Sequence, residues 1–191
     1  MTKFTHKSEI SKCGTELVFK SYYNDIPCKN TKIFGHLAKR RSGLQLILSD
    51  ICECLDMFEL ITFDGERRYT KFLYKAFVIT YGKCFAGGEE RGVSLNAKAV
   101  FKGNKQLLEK YIKIIEARNK YVAHSDSTNY ENSAVYLASF DGEHEIFVPT
   151  QKYSHPVSDS IASDENMVIY VYEYLNDQIQ KLDNAMLQQQ A

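Results

Sequence analysis

An arginine, an asparagine and a histidine stand within seven residues of one another, at Arg118, Asn119 and His124 in the string RNKYVAHSD. A guanidinium grips oxyanions through two parallel N–H bonds. An imidazole titrates near neutrality and can carry a proton. Together they suit chemistry on an anionic group, with Arg118 on the charged oxygens and His124 moving the proton. The bland alternative is structural: Arg118 on the last carbonyls of a helix, His124 favoured by the helix dipole.

The stretch Asn104 to Asp126 positions these residues. Gly103-Asn104 reads as a break and an N-cap. Leu107, Leu108, Tyr111, Ile112, Ile115 and Val122 then recur at helical spacing, so one apolar face is expected over 104–124. At about 100° per residue, Arg118 and Asn119 fall on the two flanks of that stripe and His124 on a different face. Polar groups at a core edge cost free energy unless partners satisfy them. Their presence there singles this helix out.

Charge is distributed unevenly although the net charge is zero. Residues 65–124 hold 13 Lys and Arg against 5 Asp and Glu, and residues 125–191 hold 2 against 11. The basic block ends on the helix just described, which suits a surface that attracts polyanions. Two oppositely charged segments packed against each other would read the same way.

The 191 residues, 44% hydrophobic and 13% aromatic, suit one folded domain with an appendage rather than a disordered chain. No apolar run approaches the roughly 20 residues a bilayer requires, so no membrane association is expected. The first residues, MTKFTHKSEISKCG, lack the apolar core of a secretory signal. Five scattered cysteines read as reduced thiols, and the expected compartment is the cytoplasm.

An N-terminal segment, 1–30, gets no assigned element before Ser21, and KSYYNDIPCKN ends it in a Pro-containing turn. A helical domain then occupies 31–191. Its first helix, from about Thr31 to Ile61, carries the stripe Leu37, Leu44, Ile47, Leu48, Ile51, Leu55, Phe58, Ile61. The second, from about Glu66 to Phe85, is apolar almost all round and should be the central one. A short helix from Ala97 to Phe101 is capped by Asn96. Asp141-Gly142, flanked by alternating apolar residues, predicts a β-hairpin over about 134–148. Ser163-Asp164-Glu165 supplies the N-cap and first-turn acids of a last helix, packed through Tyr170, Val171, Tyr174, Leu175, Gln178, Leu182 and Ala185.

Other chemistries find little support. Cys52-x-Cys54 on a helix points its thiols about 200° apart, and no second Cys/His pair has zinc spacing, so no metal and no cofactor is expected. His6, His36, His144 and His155 share no spacing. The glycines at 82, 87 and 88 lack the Lys-Ser/Thr of a phosphate-binding loop.

The Arg118-Asn119 pair, with five residues between Arg118 and His124 at a helix end, resembles the signature of the HEPN superfamily (higher eukaryotes and prokaryotes nucleotide-binding domains). The string looks most like the abortive-infection, AbiU-type branch. The specific match covers about 20 residues. The resemblance implies an all-α, up-and-down helical bundle, here with a small β-hairpin insertion before the last helix, that forms a homodimer. It implies a metal-independent endoribonuclease of a defence or toxin-type system, with Arg118 and His124 as catalytic pair and Asn119 as polar support. Lys113 and Lys120 would contact RNA, and an antitoxin or regulatory partner would control activity. On one ideal helix Arg118 and His124 lie about 120° apart in azimuth and ~9 Å apart along the axis, so a composite site at a two-fold interface is expected. RNA brings its own nucleophile, the 2′-hydroxyl. Products would be a 2′,3′-cyclic phosphate and a 5′-hydroxyl. The rival expectations are a non-catalytic RNA- or nucleotide-binding dimer of the same fold and a structural adaptor.

Overall fold

A computed structural model describes residues 6–13, 16–63, 69–87, 91–119, 131–140, 144–153 and 161–188. The chain divides into two units, Met1–Ala38 and Lys39–Ala191.

The first unit is a small antiparallel sheet of order β1-β2-β3, formed by His6–Cys13, Glu16–Tyr23 and Ile26–Pro27. Sequence reading left most of this segment unassigned. The turn it placed near Pro27 in fact sits at Asn24 and Asp25, whose φ angles are 49° and 62°, between the paired Tyr23 and Ile26. Two left-handed residues match the twist of a tight hairpin, and Asn and Asp tolerate that region better than other side chains. Pro27, which has no N–H to give, lies in the outer strand.

The second unit is mostly helical, with a hairpin before its last helix. The helices are α1 (His36–Phe63, begun in the last residues of the first unit), α2 (Thr70–Phe85), α3 (Ala97–Val100), α4 (Lys105–Ala117) and α5 (Ile161–Gln188). Strands β4 (Glu131–Phe140) and β5 (His144–Tyr153) pair antiparallel, longer than the expected 134–148, with Asp141-Gly142 falling between the paired Phe140 and His144.

Several boundaries move for clear reasons. Helix α1 starts at His36 rather than Thr31 because Gly35 adopts φ 110°, outside any right-handed helix. Helix α5 has begun by Ile161, so Ser163 lies inside its first turn instead of capping it. The buried face of α4 is centred on Ile114 and Ala117, and Ile112 is exposed. Asn104 does cap α4, accepting from the Leu107 N–H at 3.1 Å, and Asn96 caps α3 in the same way through Ala99.

The core joins Leu44, Ile47, Ile51 and Phe58 of α1, Phe77, Val78 and Tyr81 of α2, and Met167, Val171 and Leu175 of α5. A run of aromatic contacts threads it, Phe58–Phe77–Tyr81–Phe85 at centroid separations of 4.6, 5.5 and 5.2 Å, continued by Tyr111 at 4.6 Å from Phe85. Tilted pairs of this kind add to what area burial alone supplies. Helix α2 is central, as expected, although Phe72 and Ile79 face outward. No helix among the described residues is long and apolar enough to cross a membrane.

Candidate functional site

Helix α4 and the two residues after it form the strip of chain that carries the chemistry-bearing side chains. After Ala117 the chain takes π geometry at Arg118 and Asn119, while the Arg118 N–H still reaches the carbonyls of Ile114 and Ile115, four and three residues back. Such one-turn widenings shift the side chains that follow and are frequent at functional sites. Arg118 is half-buried. Its aliphatic stem lies across α2 at Gly82: a Cβ added to that glycine would sit 3.2 Å from Arg118 Cδ and 3.3 Å from its Cγ and Nε. A methyl group there would require the arginine stem to give by a few tenths of an ångström. At the far end, Arg118 Nη1 donates to Asn119 Oδ1 at 2.9 Å, and Asn119 itself is exposed.

The pairing of this guanidinium differs from that of its peers. Arg41 pairs with Asp183 at 3.0 Å and Arg91 with Asp50 at 2.6 Å. Among the described residues no carboxylate pairs with Arg118. An amide orients a guanidinium without neutralising it.

A groove of about 670 Å³ runs along the same helix, lined by Gln106, Lys110, Lys113 and Ala117 of α4 and by Ser163 and Asn166 of α5. Asp164 forms its floor, 1% exposed, held by the Lys110 ammonium at 2.8 Å and by the Tyr74 hydroxyl at 3.1 Å. Lys110 also donates to the Ser163 hydroxyl. With Lys110 engaged by Asp164, Lys113 is the lysine of the lining that remains exposed. It lies one turn before Ala117.

A second buried carboxylate sits away from this strip. Burial alone would push the Asp50 carboxyl up, but Arg91 and Lys83, the latter at 2.9 Å, hold it below its ordinary range. The cluster ties α1 to α2 and to the segment before α3. Gly43 lies against that segment, where a methyl group would collide with Val93 and the Arg91 carbonyl. The buried thiol of Cys54 is pushed far up by burial, and that of Cys84 up to about 12, so both stay protonated and inert. Among the described residues no group of three or more His, Cys, Asp or Glu side chains could hold a metal ion.

Of the residues singled out from sequence, Arg118 and Asn119 touch and Lys113 lines the adjoining groove. Lys120 and His124 lie outside the described residues. Three participants escaped sequence reading: Gly82, Lys110 and Asp164. The acid at 164 was visible as a first-turn residue, but its burial depends on a lysine 54 positions earlier. Gly82 interrupts an otherwise apolar helix, which was the available signal for a close approach.

No family model, curated protein or solved structure matches this chain. The side chains themselves carry whatever reading is made of the site.

Proposed function

We propose that this chain is a HEPN-like endoribonuclease that works without a metal, as a homodimer in a defence or toxin-type role. The observation that carries the reading is Arg118: half-buried, seated against Gly82, oriented by Asn119 and paired with no carboxylate among the described residues. Such a group is preorganised to meet a phosphate, and a fixed cation at developing charge is among the largest contributions to catalysis. Lys113, exposed on the neighbouring groove, would hold the RNA backbone. Lys120, one residue past Asn119, would extend that contact.

In this reading the 2′-hydroxyl of RNA attacks the adjacent phosphorus. His124 from one protomer's helix end carries a proton between the 2′-oxygen, the imidazole and the departing 5′-oxygen. Arg118 stabilises the negative charge on the non-bridging oxygens of the phosphorane. The bond to the 5′-oxygen breaks, leaving a 2′,3′-cyclic phosphate and a 5′-hydroxyl. An antitoxin or regulatory partner would restrain the activity in the cell.

The test is a cleavage assay on tRNA and total RNA in excess EDTA, with the dimer mass measured alongside. Wild type should yield cyclic-phosphate ends, His124→Ala none, and Arg118→Ala should be slower by about 10²- to 10³-fold. A folded dimer that cuts neither substrate would replace the nuclease with a binding module. RNA affinity that fell steeply with salt would then mark a polyanion site rather than a structural adaptor.

A further inference from the structure

A second groove, of about 650 Å³, lies between the C-terminal half of α1 and the start of α5. Leu55, Asp56, Glu59 and Phe63 line it from α1, and Glu165 and Ile169 from α5. On α1 these positions recur at helical spacing over two turns, about 12 Å of axis. Phe63 is 90% exposed, an extreme value for an aromatic side chain, and Ile169 across the groove is exposed as well. An apolar surface of this kind marks a place where something docks.

The charges say what kind of partner fits. Among the described residues Asp56, Glu59 and Glu165 form no ion pair, and no described Lys or Arg lines the groove. Along the sequence, neither residues 49–63 nor residues 161–180 contain a single Lys or Arg. The C-terminus of α1, which has no basic residue in its last turn, adds the negative end of a helix dipole. Nucleic acid is repelled from such a surface, and an uncharged apolar partner would leave three carboxylates dehydrated without compensation.

We propose that this groove receives a cationic amphipathic helix from a partner polypeptide. Apolar residues of that helix, spaced i, i+3 or i+4, would cover Phe63, Leu55 and Ile169, while flanking Lys or Arg side chains would meet Asp56, Glu59 and Glu165. This is the helix-in-groove mode of recognition, with acidic rims setting the sign of the partner. The assignment is independent of the ribonuclease reading, since it uses a different pair of helix faces and the opposite charge.

The probe is a fluorescein-labelled peptide of roughly 14 residues, about four helical turns, built from Leu and Lys in amphipathic register. A Leu/Glu counterpart and a Leu/Lys scramble without the apolar stripe serve as controls. By fluorescence anisotropy the full chain should bind the Leu/Lys helix at one site, and each control at least about tenfold more weakly. Phe63→Ser and the double variant Asp56→Asn, Glu59→Gln should each weaken binding by about tenfold or more. Both sites are on the surface, and circular dichroism confirms folding. Binding unchanged by either variant, or no binding at all, overturns the proposal. A wild-type dimer converted to monomer by Phe63→Ser also overturns it, by giving the groove to a second copy of the chain.

Discussion

Two cations on helix α4 meet opposite fates. Lys110 ends at a buried carboxylate, 2.8 Å from Asp164, with Tyr74 and Ser163 completing the cluster. Arg118, two turns on, ends at the amide of Asn119. The first is committed to the fold: its charge is matched by a buried carboxylate, whose ion pair its removal would break. The second is shaped by the fold and, among the described residues, meets no carboxylate. A helix can therefore divide its polar residues between holding the protein together and addressing something outside it. The criterion is the partner's charge rather than the degree of burial.

Breaking the two cations separately should give effects of different kinds. Lys110→Met removes the cation paired with the buried Asp164 and should destabilise the fold by about 3 kcal/mol, read as a lowered midpoint in urea. Arg118→Ala should shift that midpoint by less than about 1 kcal/mol while slowing RNA cleavage by about 10²- to 10³-fold. Equal stability losses in the two variants would show that Arg118 is a structural residue too.

A smaller effect sharpens the role of Gly82. Glycine to alanine inside a helix ordinarily stabilises by about 0.5–1 kcal/mol. At position 82 the new methyl crowds the Arg118 stem, so Gly82→Ala should gain nothing and should slow cleavage about tenfold by displacing the guanidinium. In an Arg118→Ala background the same change should recover its stabilisation and leave cleavage unaltered. Additive effects in this double-mutant cycle would dissolve the proposed contact.

The smallest effect concerns Asp50, whose carboxyl is held below its ordinary range by Arg91 and Lys83. Because the folded value lies below the unfolded one, the stabilisation is present above the ordinary Asp value of 3.8 and fades as pH falls through the lower, folded value. Asp50→Asn should accordingly flatten the acid limb of the stability–pH curve. An unchanged limb would place the acid sensitivity elsewhere.

What could be read from sequence follows the range of the forces involved. Helices α1, α2 and α4 were legible because Ile47, Ile51 and Phe58, or Phe77 and Tyr81, repeat with the period of the backbone itself. The Asp141-Gly142 hairpin signal is equally local. The N-terminal sheet was missed because its strands mix charged and apolar residues without clean alternation, and its decisive turn rests on Asn24-Asp25 rather than on a glycine. Arg118 was found by type and by its place on a helix flank. Its berth on Gly82 was not, because that depends on how α2 and α4 cross. The burial of Asp164 belongs to the same class, since nothing near it in sequence announces Lys110.

The Lys110–Asp164 bond has one more consequence, which concerns chain length. It joins the helix before the β4–β5 hairpin to the helix after it, so the ends of a 53-residue excursion are stitched together at its base. Loop-closure entropy changes only slowly with length: halving or doubling the stretch between the stitched ends alters the cost by about 0.6 kcal/mol. The bundle is thereby insulated from what hangs on that stitch. Insertions or deletions in the β4–β5 hairpin, which lies beyond the Arg118–His124 stretch, could be exchanged with the helices left in register, which makes the hairpin the natural place for the molecule to vary.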